Sequence, residues 1–279
     1  MKTSTQLKAK ARNLSKNTNI PPHIIQRNYF LERFLERVSL SKHRESIILK
    51  GGVLITSLLG IEARATVDLD ATMKTGELSA VDIAEIINAI IHTTVNDNVV
   101  FVLSDIEETR VESEYPGFRV TLSVTLDKLR DAVKVDFTAG DVVTPKPIEY
   151  GYRLMFEDRE IRVLAYNIET VLAEKFTAAL SLDVSNSRMK DFYDIYMLVT
   201  EQRDMIEPDV FAEAVNNTAK QRHMLHLLPK AAHIIDTIAG STVMSDLWLR
   251  YKSVYKYAAF IEFQDVVDAA RVLVGWCEQ

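Results

Sequence analysis

An α+β fold is predicted, with a mixed sheet and flanking helices over residues 46–165 and a helical C-terminal domain at 166–279. Three observations predict it. Strand-like segments with apolar and polar residues in alternation cluster in the middle of the chain: ATVDLDATM, FRVTLSVTL and AVKVDFTA. Helical periodicity dominates after residue 166, and the texture changes near 165 without a visible linker.

Residues 1–45 form the first element, a helical arm punctuated by Pro21 and Pro22. Ile24, Ile25, Phe30, Phe34 and Val38 recur at near-helical spacing and give it an apolar stripe to pack on the body. Its cations are Lys8, Lys10, Arg12, Lys16, Arg27, Arg33, Arg37, Lys42 and Arg44. They read as a solvated helix face or as a contact for RNA phosphates.

Next, Gly51 and Gly52 open the short helix VLITSLLG, which Gly60 is placed to cap. A strand through ATVDLDATM and a helix at 79–92 follow, then strands at 98–103, 106–112, 118–126 and 132–139. Pro116-Gly117 marks a turn. In the last region, Ile168, Val171, Leu172, Phe176 and Ala179 share one helical face, and Phe192, Ile195, Tyr196 and Val199 share another. FAEAVNNTAK and FQDVVDAARVLV continue the pattern.

With 279 residues, 47% of them hydrophobic, the chain can bury a substantial core. A formal net charge of -6 argues against a whole-chain grip on nucleic acid and leaves room for a local basic cleft. Cys277 is the single cysteine, which excludes an intrachain disulfide or a cysteine-rich zinc site and fits a reducing compartment. The polar, basic start is not expected to act as a secretory signal, and no apolar run reaches the ~18 residues of a membrane helix. The expectation is a cytoplasmic monomer with no membrane association.

The chemistry centres on carboxylates. Strand side chains alternate faces, so Asp68 and Asp70 project together while Val67 and Leu69 point the other way. Val135 and Phe137 flank Asp136 in the same manner. Adjacent carboxylates repel unless a cation neutralises them, and oxygen ligands at this spacing suit Mg²⁺ or Mn²⁺ with a nucleoside triphosphate. The bland alternative is an exposed strand edge whose charges discourage aggregation. Gly51 and Gly52 at a helix start can cradle phosphate, with Lys50 and Arg64 adding positive charge; ordinary turn glycines are the alternative. The combination resembles the nucleotidyltransferase superfamily of DNA polymerase β, whose hallmark is a G[GS] turn, a DxD pair and a third carboxylate. Here the second position is Gly52, so the serine hydroxyl seen in many members is missing.

Lys175 falls near the centre of the 168–179 apolar stripe, an unusual place for an unpaired lysine; facing inward it could meet triphosphate oxygens as a mobile point charge, and snorkelling to solvent is the alternative. In RMKDFYD, Arg188 lies on the apolar side and Asp191 on the flank, where it can orient Lys175 or Arg188. Asp194 is expected to pair with Lys190 on the surface.

A narrower resemblance then emerges, to the AbiEii/AbiGii toxin family, nucleotidyltransferase toxins of type IV toxin–antitoxin and phage abortive-infection systems. It is carried by NIPPHIIQRNYFLERFLERVS, ILKGGVLI, GIEARATVDLDATM, VKVDF, LAEKFTAAL and RMKDFYDIYML, which span roughly residues 19–200. The resemblance implies a polymerase β-like sheet, with Gly51 and Gly52 holding phosphate and Asp68 and Asp70 binding metal. Asp136 completes that site or acts as base, Lys175 and Asp191 are further functional residues, and Thr66 takes the hydroxyl position before the DxD pair. It implies nucleotide transfer from a nucleoside triphosphate to an acceptor, in some members the tRNA 3′ end, and a cognate antitoxin encoded nearby. Rival readings are a small-molecule nucleotidyltransferase and an inactive scaffold serving as a binding protein.

Other features point less far. His223, His226 and His233 lack a nearby acidic ligand and read as packed or solvated. Tyr29, Trp248 and Trp276 read as core aromatics, and YKSVYKYAAF as a lysine-fringed core helix or an RNA contact.

Overall fold

The structure is a computed structural model that describes residues 1–18, 20–74, 78–109 and 117–278. It divides into two compact units: Met1–Asp141 with Ile148–Ala165, and Val142–Pro147 with Tyr166–Gln279. The first contains helices α1 (Ser4–Thr18), α2 (Pro22–Leu40), α3 (Gly51–Leu59) and α4 (Ala80–Ile91). Its strands are β1 (Ile47–Lys50), β2 (Asp68–Met73), β3 (Val99–Thr109), β4 (Gly117–Leu126), β5 (Leu129–Ala139), β6 (Ile148–Arg153) and β7 (Glu160–Ala165).

Among the described residues these strands make one mixed seven-stranded sheet in the order β3-β4-β5-β2-β1-β7-β6. Alternation in β4 and β5 buries Phe118, Val120, Leu122, Val133, Val135 and Phe137, and leaves the intervening residues on the other face. Helix α2 packs against β5, β7, α1 and α4, and α3 packs against β1 and β2. The N-terminus of α4 is fixed by a capping box: the Ser79 hydroxyl accepts from the Asp82 amide, and the Asp82 carboxylate accepts from the Ser79 amide. Gly60 ends α3 at a φ of 88°, a conformation that favours glycine.

Several expectations change. Segments 98–103 and 106–112 are not two strands: Val99–Thr109 is one strand with a register shift between Leu103 and Asp105. Residues 110–112 and Pro116 of the expected turn lie outside the described residues. The cations of the arm divide: Lys8, Lys10, Arg12, Lys16 and Lys42 are exposed, as a solvated face requires, whereas the arginines that follow are engaged with carboxylates. Arg37 is buried and donates to both oxygens of Asp97 at 2.8 and 2.9 Å, while Arg33 meets Glu36 and Glu157. Arg27 pairs with Asp131, and Arg44 with Glu149. Helix α2 is enclosed on several sides, so its charges carry their counter-ions with them.

The second unit holds α5 (Ile168–Leu182), α6 (Met189–Glu201), α7 (Pro208–Gln221), α8 (Ala231–Gly240), α9 (Thr242–Val254) and α10 (Phe263–Cys277). Helix α5 packs on α6 and α7, and α10 on α6, α7 and α8. Phe176, Phe211 and Trp276 form a chain of ring contacts, and buried Trp248 donates from its indole to the Ile261 carbonyl at 3.0 Å. The YKSVYKYAAF segment is not one helix: α9 ends at Val254, and Phe260 is almost fully exposed. Among the described residues no helix is long and apolar enough to cross a membrane.

Glu32, buried on α2, accepts from the Met155 amide at 2.9 Å through Oε1, whereas its Oε2 has no hydrogen-bond partner. Burial raises its pKa to about 8, against the opposing pull of that amide and of Arg33. The folded chain therefore keeps a proton that the unfolded chain releases near the ordinary value of 4.5. The resulting stability is full below that value and is lost as pH rises through about 8. Glu32→Gln is expected to flatten the fall in Tm between about pH 5 and about pH 8; an unchanged pH slope in the variant would contradict this.

Candidate active site

The register of β2 assembles the candidate site. Leu69 is buried, so Asp68 and Asp70 both face away from the core side of β2. Strand β1 runs antiparallel beside it with Lys50 opposite Asp70. On the other side β5 runs parallel, placing Asp136 opposite Asp70 and Lys134 opposite Asp68. Arg119 of β4 stands opposite Asp136, and Glu107 of β3 opposite Arg119. One row across five strands thus reads Glu107, Arg119, Asp136, Asp70 and Lys50.

Local chain geometry explains the glycine pair. Gly51 has a φ of 63°, and a Cβ there would sit 2.1 Å from Asp70 Oδ2. A Cβ on Gly52 would lie 2.5 Å from the Thr66 hydroxyl and 2.7 Å from Arg64 Nη1. The Gly52 amide donates to Asp70 Oδ2 at 3.0 Å, so the first turn of α3 and the second carboxylate of the DxD pair hold each other. Arg64 is buried and donates to the Gly52 carbonyl at 2.9 Å. Thr66 donates from its hydroxyl to the Asp68 carbonyl at 3.3 Å, and Asn28 of α2 donates to the Thr66 carbonyl at 2.7 Å.

Charges are distributed unevenly. Burial, then the neighbouring charges of Asp136 and Asp70, raises the pKa of Asp68; Arg119 and Lys134 act in the opposite sense. Asp136 is held by Arg119, whose Nε and Nη2 donate to its two oxygens at 2.8 and 2.7 Å. Lys50 is buried, with its ammonium 2.6 Å from Asp141. Burial pushes the Asp141 pKa up, but Lys50 and hydrogen bonds from Lys50, Thr138 and Thr72 prevail and hold it at about 2. The charge expected of Lys50 beside a triphosphate is thus engaged with a carboxylate that sequence reasoning passed over.

Three carboxylates at neighbouring positions on β2 and β5 are hard oxygen donors suited in type to Mg²⁺ or Mn²⁺. Among the described residues, no three carboxylate, imidazole or thiol groups are gathered as a metal ion would hold them. Asp70 is turned to the Gly52 amide and Asp136 to Arg119, so binding would require side-chain rotation but no change of strand register.

In the second unit, Lys175 is largely buried and its ammonium lies 2.7 Å from both Asp191 and Asp194. Asp194 is fully buried, which corrects the expectation of a surface pair with Lys190. Residues 191 and 194 are three apart on α6 and share the face that receives Lys175. Arg188 is corrected too: it occupies the N-cap position of α6 with a mostly exposed side chain, its Nε 3.1 Å from Asp191.

Arg119 also escaped sequence reasoning, although a signal existed. Asp127 adopts a φ of 54° in the tight turn between Leu126 and Leu129. Counting back from such a turn sets the hairpin register and places Arg119 beside Asp136.

Two substitutions probe this geometry. Gly51→Ala is expected to cost about 1–3 kcal/mol in thermal or urea unfolding, because a side chain is strained there and collides with Asp70; wild-type stability would refute the close approach. Lys175→Met removes the ammonium that Asp191 and Asp194 share and is expected to cost about 3 kcal/mol in urea unfolding; an unchanged midpoint would show that the ion cluster contributes nothing.

The family model for the nucleotidyl transferase AbiEii toxin of type IV toxin–antitoxin systems matches residues 33–268. Among solved structures, the fold is shared with MenT4, a nucleotidyltransferase toxin from Mycobacterium tuberculosis H37Rv. That match has a TM-score of 0.55 at 14% identity and covers 95% of this chain and 98% of MenT4. A Helicobacter pylori protein provisionally described as a nucleotidyltransferase gives 0.50 at 12% identity, over 93% and 98% of the two chains. No curated protein sequence matches the chain significantly. At these identities the structural likeness speaks for the fold, while the family model spans most of the sequence. The chain belongs to the AbiEii family of nucleotidyltransferase toxins of type IV toxin–antitoxin systems.

Proposed function

We propose that this nucleotidyltransferase moves a nucleotide from a nucleoside triphosphate to an acceptor hydroxyl, the tRNA 3′ end being the favoured acceptor, with release of pyrophosphate. The observation that carries the reading is the alignment of Asp68, Asp70 and Asp136 on adjacent strands, directly beside the glycine turn. Asp68, Asp70 and Asp136 would hold Mg²⁺ or Mn²⁺. Such a cation, when bound, neutralises charge on the triphosphate and on the attacking and leaving oxygens.

The chain's own groups do the rest. Gly51 and Gly52 let Asp70, Thr66 and Arg64 pack close against the start of α3, and backbone amides at a helix start favour phosphate oxygens. Lys50, Arg64 and Thr66 shape this corner through Asp141, the Gly52 carbonyl and the Asp68 carbonyl. The acceptor oxygen bonds to the α-phosphorus as the bond to pyrophosphate breaks, and Asp136 takes the hydroxyl proton. Lys175 and Asp191 are assigned as further functional residues through the family resemblance, Arg188 is a candidate nucleotide contact beside Asp191, and Asp194 fixes Lys175 alongside Asp191. A cognate antitoxin, a cytoplasmic location and a monomeric state complete the proposal.

Incubating the protein with each α-³²P-labelled triphosphate, Mg²⁺ or Mn²⁺ and total cellular RNA tests it. Label is expected in a tRNA-sized band, and Asp68→Ala/Asp70→Ala is expected to reduce it about a thousandfold while keeping the fold, the rate equivalent of several kcal/mol. Equal labelling by the double variant would overturn the carboxylate assignment, and label absent from RNA with every triphosphate would overturn the RNA acceptor.

A further inference from the structure

Asp136 has two suitors. Its two oxygens accept from the fork of Arg119, yet its strand position is level with Asp70 and beside Asp68, where a divalent cation would require the same oxygens. A guanidinium that covers both oxygens of a carboxylate leaves little room for a cation on that group. The two occupants therefore exclude each other at Asp136.

The pair is also built to open. Arg119 and Asp136 are about one-third exposed at the side chain, unlike the enclosed Arg37–Asp97 pair of α2. A partly solvated ion pair is weakly held, whereas a divalent cation facing a carboxylate trio is strongly attracted. Once displaced, Arg119 has a second carboxylate at hand. Glu107 lies directly opposite it on β3, is exposed, and already adds to the field that keeps the guanidinium charged. Side chains at directly opposed strand positions have Cβ atoms about 5 Å apart, within reach of an arginine that rotates without moving its backbone.

We propose that Arg119 is a gate on the third carboxylate, occupying Asp136 until a divalent cation binds and then turning to Glu107. This rests on the metal-binding reading of Asp68, Asp70 and Asp136 given above. Arg119 is here a positioning residue: it acts through Asp136. Its presence lowers metal affinity, and Glu107 offsets that penalty by offering the displaced guanidinium a partner. The row of alternating charge across β3, β4 and β5 then works as a two-position device, with Asp136 and Glu107 as its seats.

Mn²⁺ binding to the full chain without nucleotide, followed by electron paramagnetic resonance of free Mn²⁺ or by calorimetry, tests the gate. Arg119→Gln removes the competitor and is expected to tighten Mn²⁺ binding about three- to tenfold. Arg119→Lys keeps the charge but loses the fork, and is expected to fall between wild type and Arg119→Gln. Glu107→Gln removes the second seat and is expected to weaken Mn²⁺ binding about two- to fivefold. Circular dichroism checks that each variant is folded. If Arg119→Gln binds Mn²⁺ no more tightly than wild type, the gate is overturned; if Glu107→Gln binds as wild type does, the second seat is overturned. Asp70→Ala separates the two levels of the argument. Wild-type Mn²⁺ binding that Asp70→Ala abolishes, with Arg119→Gln unchanged, defeats the gate alone. A wild-type chain that binds no Mn²⁺ defeats the metal reading and the gate together.

Discussion

Cross-strand register is the constraint on which the candidate site depends. Strand β2 lies between an antiparallel neighbour, β1, and a parallel one, β5, and Asp70 is aligned with Lys50 and Asp136 at once. A slip of one residue would turn Leu69 to the surface and drive Asp68 and Asp70 into apolar packing, at prohibitive cost. Register also dictates the glycines, since the chain leaving β1 must turn within contact distance of Asp70. Gly51 and Gly52 serve this packing requirement whether or not a phosphate is bound. The family hallmark and a steric necessity of the fold coincide at the same two positions.

Two kinds of charged group serve two ends in the first unit. On α2, Arg33 and Arg37 are buried and pair with buried Glu36 and Asp97, where breaking a pair strands a charge and is heavily penalised. Across the sheet, Arg119 and Asp136 stay partly solvated, so their exchange of partners is mild in energy. Buried pairs brace the helix, and exposed ones can be rearranged. The second unit offers a third case in the Lys175 cluster, where one ammonium balances two carboxylates and fixes the spacing of α5 and α6.

Much of this was legible in the sequence where local pattern and packing agree. Asp68, Asp70 and Asp136 alternate with buried apolar neighbours, so their strand faces could be read from spacing alone. The strand Ile47–Lys50 was not legible: it is short, almost uniformly apolar and buried throughout, so it carries no alternation. Strand β3 read as two pieces because its register shift falls between Leu103 and Asp105, around polar Ser104. The arginines of α2 read as solvated because their partners, Asp97 and Glu157, are distant in the chain. Asp194 misled for the same reason, its partner Lys175 being on another helix. Local periodicity predicts which face a residue takes, but ion pairs across elements are tertiary facts.

The path of the chain has a consequence for biosynthesis. Residues 142–147 belong to the second unit, after which the chain returns to the first for β6 and β7. Strand β7 pairs with β1, so β1 leaves the ribosome long before its outer neighbour exists. Once β5 has emerged, and until β7 follows, the nascent sheet has the carboxylate strands β2 and β5 in place but a bare hydrogen-bonding edge at β1. A translation product released before β7 would carry every aspartate of the sheet site and yet be sticky along that edge, primed to pair with another chain instead of maturing.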